Sequence, residues 1–287
     1  MTKVCLTFFQ AGFTMWLLAG GNGLAHGDLH ERIIVVSKQI EERPLDAQLY
    51  LRRADMERQH EDWPAALRDY DKARQLDPAM NLDLQRGRTL LEAGRPEGAL
   101  PLLDRVLEST PDDPQALLFR ARALSRLDRP VEAARDFRAA FARNPEPKPA
   151  QAIETADSLV VLGLEQDALQ LLSAGIAKLG NHPALVLRSM DLAIATRDFD
   201  TALVQVEIMR QGAPRPEPWM ARRASILEQA GRIDESRAAW QGLVGLLTAL
   251  PNLERGSPAN RQLMEDARKS LATLDRLSVK KIISPTK

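Results

Sequence analysis

The chain has one cysteine in 287 residues, four histidines, and only 5% aromatic residues. Cys5 lies in an apolar N-terminal stretch, so everything after it lacks a thiol. Disulfides, thiolate catalysis and cysteine-based metal sites are excluded there. Charge of one sign is lacking too, because 39 Lys plus Arg meet 39 Asp plus Glu. A nucleic-acid binder needs a basic footprint to neutralise phosphates, and few aromatics leave little for bases to stack on. β-branched runs are scarce, and no glycine-rich phosphate loop follows a strand. His60 falls near a helix end and His182 in a turn, where each reads as solvated. Asp112-Asp113 sits at a helix-starting position and not in a catalytic pair. These absences point away from an enzyme, and they leave no expected cofactor or metal site.

What is present is a period. Ala54, Gly87, Ala121, Ala156 and Ala224 are spaced 33, 34, 35 and 68 residues apart. Ala66, Ala99, Ala133, Ala168, Ala202 and Ser236 form a second small column, spaced 33, 34, 35, 34 and 34. A large column, Tyr70, Leu103, Phe137, Leu172, Val206 and Trp240, keeps the same steps. A fixed period of this length means stacked repeats, which grow without needing a second core. Abundant Leu, Ala, Arg and Glu make each repeat helical. Small residues let two helices cross closely, and the large column fills the space between neighbouring hairpins.

Each repeat reads as two helices. In the first, Glu61-Asp62-Trp63-Pro64 is the turn, with Asp as cap and Pro in the first helical turn. Pro44, Pro78, Pro111 and Pro145, at intervals of 34, 33 and 34, mark the helix stops. Pro101, inside a second helix, is expected to kink it or delay its start. Arg53, Arg86, Arg120 and Arg223 each precede the small residue of a first helix. Asp69 and Asp136 are placed to meet Arg53 and Arg120.

The ends differ from the repeats. Residues 1–25 have a basic start, an apolar run and a small-residue end at Leu24-Ala25, the layout of a signal peptide cleaved near Ala25. The expected location is therefore exported, periplasmic or secreted. An uncleaved N-terminus would instead leave a membrane anchor. Residues 28–43 read as a lone capping helix, with Asp28 and Glu31 spaced as a capping box and an apolar stripe of Leu29, Ile33, Val36 and Ile40. Six repeats occupy residues 44–251. A second capping helix spans 256–278, with Leu263, Ala267, Leu271 and Leu274 on one side, and 279–287 reads as a disordered tail.

The columns resemble the tetratricopeptide repeat family, most closely in the third repeat through Ala121, Leu124, Ala133, Phe137, Ala140 and Pro145. The second repeat adds the turn glycine Gly94. Met190, Gly175 and Ser236 depart from the family's usual residues. The resemblance implies an all-α, right-handed superhelical solenoid of stacked helix-turn-helix repeats, capped at both ends. It implies that the first helices line a concave groove that takes a protein or peptide. In the first three repeats that groove would present Leu51, Asp55, Arg58, Leu84, Arg88, Leu91, Leu118, Arg122 and Arg126, with Gln48 beside them. Leu51, Leu84 and Leu118 would form an apolar strip, and the arginines would receive an acidic or C-terminal segment. Ile153, Asp157, Val160, Leu187, Asp191 and Ile194 would continue the face.

The expected function is thus non-catalytic binding or scaffolding in the cell envelope, with a protein or peptide partner, no nucleic acid, and no stable membrane insertion unless the N-terminal segment is retained. One alternative is a membrane-anchored assembly factor for an envelope complex. Another is a metal carrier, in which cleavage after Ala25 exposes the amine and imidazole of His26 beside His30.

Overall fold

The computed structural model describes the backbone of residues 22–283 and the side chains of residues 28–276. Residues 1–21, with Cys5 and most of the expected signal peptide, lie outside it, as does the side chain of His26. Among the described residues the chain is fifteen helices and no strand. They are α1 (Asn22–Glu42), α2 (Ala47–Gln59), α3 (Trp63–Leu76), α4 (Asp83–Glu92), α5 (Pro96–Ser109), α6 (Pro114–Arg126), α7 (Pro130–Arg143), α8 (Pro149–Val161), α9 (Glu165–Leu179), α10 (Pro183–Ala195), α11 (Phe199–Gly212), α12 (Glu217–Gln229), α13 (Ile233–Ala249), α14 (Asn252–Arg255) and α15 (Pro258–Ile283). Consecutive helices pair as hairpins in α2 with α3, α6 with α7, α8 with α9, α10 with α11 and α12 with α13. The contacts divide the chain within α5 into two compact units, 1–102 and 103–287.

Helix starts follow local chemistry. Asp46, Asp62, Asp113 and Asp198 each accept a hydrogen bond from a backbone N–H of the helix they precede. That satisfies donors a helix N-terminus cannot satisfy itself. Every turn between the two helices of a hairpin ends in the same way. Glu61, Gly94, Asp128, Gly163, Arg197 and Gly231 all have left-handed backbone, with φ between 56° and 73°. The N–H of the next residue then reaches back to close the helix, as Asp62 does to Glu57 O at 2.9 Å and Asp198 to Ala193 O at 2.8 Å. These positions step by 33, 34, 35, 34 and 34, the same period as the packing columns.

In the first unit the core is Leu29, Val36 and Ile40 of α1 against Leu49, Tyr50, Ala54, Ala66 and Tyr70 of the first hairpin. α1 therefore covers the open edge as expected, but it begins at Asn22, six residues before Asp28. Asp28 lies inside the helix and caps nothing. No proline in 22–27 forces the chain out of helical geometry, so the capping-box spacing has no effect there.

In the second unit the core continues through Ala156, Ala168, Leu172, Leu185, Met190, Ala202, Val206 and Ile226. Both small columns are buried, and so is the large one. Met190 is absorbed in the core, 2% exposed. Ser236 is tolerated because its hydroxyl donates to Ala224 O across the hairpin at 2.9 Å. Gly175 is needed, since a Cβ there would stand 3.3 Å from Cβ of Ala152. Pro101 neither ends α5 nor delays it; the helix starts at Pro96 and runs through. α15 packs Ala267 and Leu274 on Trp240, Leu243 and Leu247. It continues to Ile283, past the expected start of the tail at Val279, because no helix breaker precedes Pro285.

Candidate functional site

Of the four arginines just before the small column, Arg53 and Arg120 share one structural bonding pattern, Arg86 keeps part of it, and Arg223 takes no part in it. Arg53 holds Asp69 of α3 through Nε at 2.6 Å and Nη2 at 2.9 Å, and donates backwards to Ser37 of α1 at 3.0 Å. Arg120 holds Asp136 of α7 at 2.6 and 3.1 Å, and Asp104 of α5 at 3.0 Å. Each guanidinium thus ties its own hairpin (16 residues on) to the helix before it (16 residues back). Arg86 reaches back to Asp71 at 2.9 Å, and Leu102 stands where its forward partner would be. Hydrogen bonding to Asp69 and Asp136 raises Arg53 and Arg120 further above an already high pKa.

Glu57 sits beside this cluster, 3.7 Å from Arg53. Its Oε2 is buried without a hydrogen bond. Burial first, then the charge of Asp69, pushes its carboxyl up to about 7 against the pull of Arg53.

The face formed by the first helices carries a second ladder, between repeats. In the first unit Arg58 of α2 meets Glu92 of α4 at 3.1 Å, and Arg88 meets the same carboxylate at 2.7 Å. In the second unit Arg122 of α6 grips Glu154 of α8, Arg188 of α10 meets Asp157 of α8 at 2.6 Å, and Arg222 of α12 meets Asp191 of α10 at 3.2 Å. Asp55 accepts from the buried Tyr70 hydroxyl at 2.6 Å. Burial and that bond hold the Tyr70 hydroxyl well above its ordinary pKa.

The expected groove residues therefore divide. Arg58, Arg88 and Arg122 lie on this face, but each already has a carboxylate from the chain itself. Leu51 and Leu84 are half-buried, while Leu91 and Leu118 are 3% and 8% exposed and belong to the core. The apolar strip is thus narrower than expected. A first helix packs on more than its own hairpin partner, as α8 does on α7, α9 and α10, and this widens its buried arc. Arg126 and Gln48 are exposed.

One cleft opens along this face in the second unit, with a volume of about 700 Å³. Arg122, Arg126, Ile153, Glu154, Asp157 and Val161 line it. Val161 is 73% exposed at its edge.

Residues 84–147 match the family model described as tetratricopeptide repeat. Tetratricopeptide repeat sequence thus occupies that segment. A tetratricopeptide repeat protein of Parabacteroides merdae is 15% identical, with a TM-score of 0.51 over 86% of this chain and 95% of that one. It extends the same hairpin architecture over most of the chain. Yeast Tom70 is 16% identical, with a TM-score of 0.49 over 91% of this chain and 63% of its own. MamA from Desulfovibrio magneticus is 18% identical, with 0.47 over 53% of this chain and 86% of that one. No curated protein sequence matches.

No three His, Cys, Asp or Glu side chains are gathered to hold a metal among the described residues. Nor is any described helix long and apolar enough to cross a membrane. His30 faces the ring of His60, with centroids 6.1 Å apart; the expected pairing with His26 lies outside the described side chains. The acidic halves of the ladder, Glu92 and Glu154, were missed in the sequence. Their signal was the period, since each lies 32 to 34 residues after the arginine it meets.

Proposed function

We propose that the chain is a non-catalytic binding module that holds a peptide or protein segment against the first helices of its third and fourth repeats. The cleft of about 700 Å³ along α6 and α8 carries this reading. It combines two arginines with the half-buried Ile153 and the exposed edge of Val161, the mixture that fixes and orients a bound chain. The inter-repeat ion pairs keep its walls in place before a partner arrives, so less freedom is lost on docking. An acidic segment would compete with Glu154 for Arg122, beside the exposed Arg126. The basic, apolar and small-residue order of the first 25 residues supports an exported setting.

The test is affinity capture from the envelope and periplasmic fraction of the native host. The chain from His26 is compared with its Arg122→Glu, Arg126→Glu variant. A protein held by the first and lost by the second supports the reading. Equal capture by both would overturn it. An intact N-terminus on the protein recovered from membranes would favour the anchored assembly factor instead.

A further inference from the structure

A second cleft, of about 580 Å³, lies at the C-terminal end of the second unit, where α13, α14 and α15 meet. It shares no residue with the first. Leu247 and Met264 give it an apolar lining, and Arg255, Arg261, Glu265 and Arg268 surround that lining. Residues 261, 264, 265 and 268 follow the spacing of one helix face, so the two arginines stand at either end of Met264. The opposite side of α15 is committed to the core through Ala267 and Leu274.

The rim is held by bonds of its own. Arg255 donates to Thr248 O at 3.0 Å and to the Asn252 side chain. Asn260, 4% exposed, donates to Glu254 O at 2.9 Å and accepts from Arg215 at 2.6 Å. The contrast with the inner ladder lies in Arg261 and Arg268. Both are exposed, and neither side chain has a hydrogen bond or ion pair among the described residues. The cleft therefore presents three guanidinium groups against one carboxylate, with two of the three unengaged.

We infer that this cleft binds an acidic peptide, two carboxylates flanking one apolar side chain. Seven residues on a helix separate Arg261 from Arg268 by about 10 Å. Two arginines so far apart do not converge on a single phosphate, and Glu265 between them repels a dense anion. They do match carboxylates four residues apart on an extended chain, which share one face with the residue midway between them and stand about 13 Å apart, a gap two long arginine side chains can span. Each guanidinium fork takes a carboxylate through two parallel hydrogen bonds. Met264, half-buried between the arginines, meets the apolar side chain at the midpoint, and methionine adapts its shape to the guest.

The probe is a fluorescein-labelled Glu-Ala-Leu-Ala-Glu-amide, titrated into the full chain and followed by anisotropy. Its Gln-Ala-Leu-Ala-Gln counterpart is the charge control. The Arg261→Gln, Arg268→Gln variant tests the site, and Arg122→Glu, Arg126→Glu tests the other cleft. Both cleft arginines are exposed, and a melting curve shows that each variant is folded. The glutamate peptide is expected to bind the native chain, with affinity falling about tenfold or more for the glutamine peptide or the Arg261, Arg268 variant. Adding Arg261→Gln and Arg268→Gln to the Arg122→Glu, Arg126→Glu background should still lower affinity about tenfold, which tells binding at this cleft apart from binding at the other. No binding up to millimolar peptide, equal binding of the two peptides, or undiminished binding by the Arg261, Arg268 variant would overturn the inference. So would complete displacement of the peptide by equimolar citrate, which would mark a site for small anions.

Discussion

Arg122 holds Glu154 by both ends of its guanidinium, at 2.8 and 2.9 Å, across the gap between the first helices of consecutive repeats. Both side chains keep about a third of their surface in water. The pair therefore shapes the cleft more than it stabilises the fold. Glu154→Ala should lower unfolding stability by only about 0–1 kcal/mol in a urea titration. Asp136→Ala should cost more, about 2 kcal/mol. It removes a 2%-exposed carboxylate and leaves the half-buried Arg120 without its main partner. Equal losses from the two substitutions would contradict this division between shaping and stabilising pairs.

Glu57 makes stability depend on pH. Its carboxyl has an ordinary value of 4.5 and is pushed up to about 7 in the folded chain. The folded state then holds the proton more tightly than the unfolded state does. This contribution is fully present below about pH 4.5 and is lost as pH rises through about 7. Glu57→Gln keeps the neutral shape at all pH values. Its melting temperature should match the native chain near pH 5 and exceed it at pH 8. A constant difference across that range would show that Glu57 is ionised throughout.

Ala133 is 1% exposed at the crossing of α6 and α7. Leucine there must push two backbones apart, at a cost of about 1–3 kcal/mol. Ala142, on the exposed side of α7, should take the same substitution with no measurable loss. Thermal unfolding of the two variants side by side checks this.

Arg197 closes its turn with φ at 61°. A residue with a Cβ is strained there by about 1–2 kcal/mol, while glycine is not. Arg197→Gly should therefore stabilise the chain by about 0.5–1 kcal/mol, after the greater freedom of glycine in the unfolded chain is deducted. Gly231→Arg, the reverse change one repeat later, should destabilise it. Melting temperatures moving the other way in either variant would refute this.

Much of the fold was legible in the sequence because packing repeats with the period. Ala54 and Ala66 had to be small at every crossing, and Arg53 and Arg120 lay a fixed distance from Asp69 and Asp136. The turn column was partly hidden, since glutamate, aspartate and arginine share it with glycine and only the backbone shows that they are equivalent. The binding face was harder to read. Leu91 and Leu118 look like groove residues when a first helix is taken alone, but flanking helices enclose them. The partners of Arg58 and Arg122 lie a full repeat away, where no pattern within one hairpin points. The extension of α1 before Asp28 had no positive signal, only the absence of a helix breaker.

Ser37 occupies, on α1, the place that Asp104 occupies on a second helix, 16 residues before the arginine that reaches back to it. The lone leading helix thus offers the first hairpin the same handhold that α5 offers the third. Where a first helix keeps that arginine, a copied 34-residue block would meet a compatible neighbour. Growth by tandem duplication needs no new interface to be invented, and the number of blocks can change while the rule for joining them stays the same.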